Sequence, residues 1–292
     1  MKKVSTENSI KIAFFIAVVL ACVKMFVAVF SGSMAVFASA LDSVFDSVSS
    51  AGNFWAAKKS KAGPTKNFKY GFGKIEGLFG LFQGGLISAS GCFLAIGGVL
   101  KILYGGEIKH FDVLFGVMIF SVLVTLALVV FLKKNKDSSL ILESETAHYS
   151  SDILANLAVL LGILIIYFTD KFWLDGAISI VLAGMIIWSG VTIFKKSVFY
   201  LLDREVDHEL NDKIEGVLER YLGAEKITSY HFLRTRTSGS VVFVDAHLVF
   251  MEDTLLKKAH DIADEIEAEL TELIPEGDIL FHLDPFDDSA DQ

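Results

Sequence analysis

Cysteine is nearly absent from this chain of 292 residues: only Cys22 and Cys92 occur, far apart in apolar runs. With no CxxC pair, a disulfide framework is excluded, and both thiols read as small packing residues. Charge is also scarce, at 21% of residues against 53% hydrophobic, and prolines number only three. That balance excludes an ordinary soluble globule. No basic patch is present and the net charge is −9, so no nucleic-acid partner is expected. The first apolar run is too long for a signal-peptide core and no small-residue cleavage site follows it, so the N-terminus is expected to stay attached.

What the chain does have is six apolar windows of about the 20 residues that a spanning helix needs. They cover roughly residues 10–30, 33–55, 76–103, 111–132, 141–168 and 174–200. Lysines mark one side of them: Lys2, Lys3 and Lys11; six between Lys58 and Lys74; Lys133, Lys134 and Lys136; then Lys195 and Lys196. The opposite connections hold little beyond Lys109 and Lys171. By the positive-inside rule both termini face the cytoplasm, and a multi-pass place in the inner (plasma) membrane is expected.

The character changes after Leu202. Residues 1–202 carry 18 basic and 12 acidic residues, whereas residues 203–292 carry 8 and 23. Such asymmetry suggests two domains in different surroundings. Residues 207–222 have helical periodicity, "ITSYHFLRTR" and "SVVFVDAHLVF" read as strands around a "TSG" turn, "TLLKKAHDIADEIEAELTELI" as an amphipathic helix and "DILFHLD" as a last strand. The expected architecture is an α-helical membrane protein with six transmembrane helices in residues 1–202. A C-terminal cytoplasmic αββαβ domain of metallochaperone-like type follows in 203–286, with a disordered acidic end in 287–292.

The second window holds two acids, Asp42 and Asp46, and the fifth holds His148 and Asp152. Each pair is spaced i and i+4 and so shares a helix face. An ionisable group in a spanning helix is costly and normally faces the bundle interior. Three carboxylates and one imidazole make a four-ligand set compatible with tetrahedral Zn²⁺, and the nitrogen leaves Fe²⁺, Cd²⁺ and Co²⁺ open. Ser39, Ser43, Ser47, Ser50 and Asn156 read as interhelical glue, while Lys24 is expected to snorkel or to pair with a carboxylate, with no functional role. A sensor or assembly factor that binds metal without moving it would show the same ligands. An intramembrane aspartyl protease needs its two aspartates on separate helices, and here Asp42 and Asp46 share one.

"SGSMAVFASALDSVFDSVSS" and "HYSSD" resemble the two half-sites of the cation diffusion facilitators. The resemblance runs from about residue 10 to 286 and is nearest to bacterial zinc and ferrous-iron efflux members. It implies a homodimer in the lipid bilayer that exports a divalent cation, zinc foremost, in exchange for protons, and that is not an enzyme. It also implies a charge interlock between subunits, Lys74 of "FGKIE" with Asp203 of "LLDR". A cytoplasmic metal site built from His231, His247, His260, His282 and Asp284 is implied as well, with Asp284 able to bridge two ions. Some relatives carry a further metal site before the third span; "PTKNFKYGFGK" has no His and no acid, so that site is expected to be missing. His110 and His208 match nothing in the family and read as surface residues.

Overall fold

The structure is a computed structural model that describes residues 6–105, 108–134, 140–223 and 226–286. Its elements run α1 (Thr6–Ser31), α2 (Met34–Ser60), α3 (Ile75–Tyr104), α4 (Phe111–Lys134), α5 (Leu140–Thr169), α6 (Trp173–Leu201), α7 (His208–Arg220), β1 (Ser229–Ser238), β2 (Val241–Val249), α8 (Leu256–Leu273) and β3 (Gly277–Asp284). The six apolar windows are thus six long helices, and the αββαβ order of the tail is as expected. Residues 287–292 lie outside the described residues.

Two compact units result: Met1–Asn53 with Phe82–Phe194, and Phe54–Leu81 with Lys195–Gln292. In the first, α1, α3, α4, α5 and α6 are long and apolar enough to cross a membrane. The 27 residues of α2 also give a helix of about 40 Å at about 1.5 Å per residue. Its aspartates and serines lower its hydropathy below that of the other five. Phe26, Phe168 and Trp188 are 65%, 75% and 77% exposed on the outer faces, an arrangement suited to lipid and not to water. Cys22 and Cys92 also lie on these exposed faces. They do not pack inside the bundle as the sequence suggested, because each falls on the side of its helix that turns away from the neighbouring spans.

Buried apolar side chains join α1, α2, α4 and α5 through Val27, Val36, Met118, Val159 and Ile163. A second cluster, Ala38, Ile87, Leu94, Ala183 and Ile186, joins α2 to α3 and α6. Glycine recurs every seven residues along α3, at Gly77, Gly84, Gly91 and Gly98, and α6 answers with Gly176, Ala183 and Gly190. A seven-residue period keeps a stripe on one helix face, and small residues let spanning helices approach closely. A Cβ on Gly84 would lie 2.6 Å from Phe194 N, one on Gly98 2.8 Å from Gly176 O, and one on Gly190 2.7 Å from Ser88 N. Gly190→Leu is therefore expected to destabilise the bundle by about 2 kcal/mol or more, read as a lower Tm in detergent. Gly184→Leu, where an added Cβ meets open space, should leave Tm unchanged.

In the second unit the sheet order is β1-β2-β3. β1 and β2 pair antiparallel through a turn at Gly239, whose φ is 66°; β2 and β3 pair parallel, with α8 as the crossover. Asp207 caps α7 by accepting from Leu210 N at 3.0 Å, which satisfies one of the helix's first unpaired amides. The core is Ile214, Leu218, Ile227, Val244, Leu248, Ile266 and Leu270. Val244, Ala246 and Leu248 of β2 are buried, so β2's even positions carry the apolar side of the sheet. Side chains alternate along a strand, which sends Asp245 and His247 to the other face. Arg220 pairs with Glu269 between α7 and α8, and that hydrogen bond holds the Glu269 carboxyl below its usual range.

Candidate metal sites

Asp42 and Asp46 stand one turn apart on α2 and open on different voids. Asp46 lines a small cavity of about 30 Å³ together with Asp152 of α5, Lys24 of α1 and Thr125 of α4. A volume of that size holds a dehydrated ion or one to two waters. Asp42 lines a larger cleft of about 210 Å³ with Ala155, Val159, Ile186 and Ser189, from α5 and α6. His148 belongs to α5, one turn before Asp152; its side chain lies outside the described residues. The structure therefore brings Asp46 and Asp152 to one cavity and sets Asp42 at its neighbour.

Lys24 does not snorkel. It is 3% exposed, and its Nζ donates to Asn156 Oδ1 at 2.7 Å, Ser43 Oγ at 3.1 Å and Ser39 Oγ at 3.3 Å. Ser39 Oγ also donates to Asn156 Oδ1 at 3.0 Å. The ammonium stands within electrostatic reach of Asp152, Asp42 and Asp46. Ser39, Ser43 and Asn156 thus do join helices, as expected of them, with Lys24 as the hub; Ser47 instead donates to Ser43 O of its own helix, and the side chain of Ser50 lies outside the described residues.

A further buried pair was not singled out from the sequence. Lys101 of α3 meets Asp175 of α6 at 2.7 Å. Asp175, 0% exposed, accepts from Ser33 Oγ at 2.6 Å and from the backbone amides of Met34 at 2.8 Å and Ala35 at 3.3 Å. It thereby caps α2 from another helix, while Lys101 donates to Gly32 O at 2.5 Å. The available signal was the rarity of charge in spanning segments.

In the tail, His231 of β1, His247 of β2 and Asp284 of β3 each offer a ligand atom, all within 4.8 Å of one another. The register places His231 opposite His247 and His247 beside His282. A bulge after His231, with Phe232 at φ 49°, shifts the register there by one residue. Asp284 Oδ2 lies 2.9 Å from His247 Nδ1 and 3.7 Å from His231 Nε2. Its other oxygen, Oδ1, lies 3.1 Å from His282 Nε2. Ligand atoms on a tetrahedral zinc with bonds of about 2.1 Å sit about 3.4 Å apart, so this donor set approaches what the ion needs, with the widest separation having to close by about 1.4 Å. The two carboxylate oxygens face different histidines, the arrangement a bridging carboxylate requires. His260 does not join them: it is exposed on α8, with Nε2 3.6 Å from Asp264 of its own helix. His110 and His208 are exposed.

At the end of α6, Lys74 Nζ meets Asp203 Oδ1 at 2.5 Å and donates to Tyr200 O at 3.0 Å, all within one chain. Asp203 adopts the left-handed conformation, φ 57°, which is common just past a helix end. Arg236 of β1 lies 3.6 Å from the same carboxylate oxygen.

A bundle of apolar helices with acids at its cavities, joined to a small domain with a His/His/Asp cluster, defines a membrane protein suited to holding metal cations. Residues 10–202 match the sequence model of the cation efflux transmembrane domain, and residues 206–286 that of the cation efflux protein cytoplasmic domain. The chain belongs to the cation diffusion facilitator family. It is a cation efflux transporter and not an enzyme. Among its relatives, the cation-efflux pump FieF of Shewanella oneidensis is 28% identical over 271 residues, covering 92% of this chain and 90% of that protein. FieF of Pectobacterium carotovorum is 32% identical over 273 residues, covering 92% and 89%. A solved structure of CzrB in a zinc form is 29% identical; the match covers 28% of this chain and 92% of that one, with a TM-score of 0.27.

Proposed function

We propose that this transporter exports a divalent cation, zinc foremost, in exchange for protons. The observation that carries the reading is the meeting of Asp46 and Asp152, from two spanning helices, at one small cavity. Asp42, one turn along α2, and His148, one turn before Asp152, supply the third carboxylate and an imidazole. An imidazole among carboxylates favours zinc and its transition-metal neighbours Fe²⁺, Cd²⁺ and Co²⁺ over Mg²⁺ or Ca²⁺.

Coupling follows from ligand chemistry. Carboxylates crowded at an empty site repel one another and favour protonation. Ligands bind metal only when deprotonated, so metal entry expels protons and proton entry weakens the hold on metal. A site that faces each side in turn converts this competition into antiport. Residues 1–202 form the transport domain in this reading and 203–286 the cytoplasmic metal-binding domain. The lysine pattern supports an inner-membrane location with both termini in the cytoplasm. We assign the histidine face of the sheet, where Leu280 is 66% exposed, to a second copy in a homodimer. Lys74 and Asp203 brace the junction, and their partners across the dimer complete the interlock.

The test is zinc uptake into proteoliposomes with and without an imposed pH gradient, with iron, cadmium and cobalt as competitors. Uptake driven by the gradient is expected. Metal binding without flux, or flux indifferent to the gradient, overturns the reading.

The tail should respond to metal separately. Zinc at about a hundredfold excess over its Kd is expected to stabilise the tail by about 2.7 kcal/mol, read as slower amide exchange in β2 of the full chain. A chelator should reverse the gain, and His231→Ala with Asp284→Ala should abolish it.

A further inference from the structure

We propose that Lys24 is a built-in monovalent counter-cation of the transport site, one that keeps monovalent metal ions out and loosens the hold on the divalent cargo enough for release. The inference rests on the transport reading above. It goes beyond it by giving a role to a residue that is no ligand.

The placement is specific. Lys24 is buried in the bundle and lines the same cavity as Asp46 and Asp152. An ammonium has three N–H donors, and here three neutral oxygens receive them, from Asn156, Ser43 and Ser39. Asn156 stands one turn past Asp152 on α5, and Ser43 directly follows Asp42 on α2. The charge is therefore anchored beside the carboxylates by groups that belong to the same two helices. A lysine serving only as interhelical glue would be poorly chosen, because a serine or asparagine joins spanning helices without an ionic desolvation cost.

Charge counting gives the placement a purpose. Three carboxylates carry −3 and Lys24 carries +1. One dication then brings the loaded site to zero, the state that costs least in a low-dielectric bundle. Without Lys24 the loaded site would keep a net negative charge and attract an additional small cation. The empty site would also present a deeper negative well, which favours any monovalent ion present in excess. With Lys24 in place the monovalent position is already filled by a charge that cannot leave. The same repulsion acts on the cargo and lowers the barrier to its departure.

The test compares zinc uptake by the full-length chain in proteoliposomes for wild type, Lys24→Arg, Lys24→Gln and Lys24→Met, in potassium and in N-methylglucamine buffers. For the Gln and Met variants the expected results are a KM for zinc lower by about tenfold, a reduced maximal rate and new inhibition by potassium. Lys24→Arg, which keeps the charge, should show no inhibition by potassium. An unchanged or raised KM with no sensitivity to potassium overturns the proposal and leaves Lys24 as an interhelical pin. Failure of both neutral variants to fold, with Lys24→Arg intact, assigns the residue to folding and overturns it as well. Failure of the transport reading itself appears elsewhere, as absent zinc flux in wild type.

Discussion

Alanine in place of Asp46 or Asp152 is expected to abolish proton-driven zinc uptake. Loss of groups that merely orient a metal ligand commonly costs about 10–100-fold in affinity or activity. Loss of a ligand that also carries charge should exceed that. Both carboxylates open on the same cavity, from α2 and α5, so each variant removes one wall of the ion's cage and leaves the other acid facing a void. The aspartate-to-asparagine forms keep shape and hydrogen bonding while removing the charge, and should fail to transport as well. Uptake in proteoliposomes decides it, with elution from size exclusion confirming that the variants are folded. Normal flux in either alanine variant would show that the cavity is not on the ion's path.

The second large effect belongs to Asp175. Its carboxylate is completely buried, pairs with Lys101 and accepts from Ser33, Met34 and Ala35 at the start of α2. Removing one member of a buried ion pair strands the other charge and typically costs about 3–5 kcal/mol. Asp175→Ala should cost at least as much, since it also leaves two helix N-terminal amides without their acceptor. The expected result is a large fall in Tm in detergent. The double variant Lys101→Met with Asp175→Leu should recover a substantial part of it, because no lone charge remains. A double-mutant cycle across the four proteins measures the coupling directly, and a coupling near zero would count against this account.

Much of the architecture was legible in the sequence because lipid imposes length and hydropathy on a spanning helix. The expected fifth span, 141–168, falls within one residue of α5 (Leu140–Thr169) at each end. α2 is the instructive case. Asp42, Asp46 and the serines that make it interesting are what lower its hydropathy. The i and i+4 spacing of the acids, not apolarity, identifies it. The pairing of His231 with His247 was readable only to within a residue: the turn sets Ser238 opposite Val241, a register that would place His231 opposite Leu248, and the bulge after His231 shifts it onto His247.

Other features were not legible. Spacing places Asp42 and Asp46 on one helix face. It does not show that neighbouring helices divide that face into two voids, with Asp46 in one and Asp42 in the other. Lys24 read as a residue that snorkels or pairs with a carboxylate, and only tertiary packing shows that serines and an asparagine hold it inside. The bulge at Phe232 and the capping of α2 by a carboxylate some 140 positions away in the chain have no local signal. His260 carries the right chemistry, yet its place on α8 sets it apart from the cluster of one chain.

The glycine seam between α3 and α6 has a mechanical consequence. Where main chain lies against main chain, no side chain can swing aside to let one helix slip along the other. The two helices form a single girder, and shear between them is blocked at Gly84, Gly98, Gly176 and Gly190. Asp175 and Lys101 pin the start of α2 to the same girder, so motion is left to a tilt about that pin, along the boundary where α2 meets the girder through Ala38, Leu94 and Ile186. Asp42 opens on the cleft along that boundary, so a small displacement of the girder would cover or bare this carboxylate while leaving Asp46 and Asp152 in place.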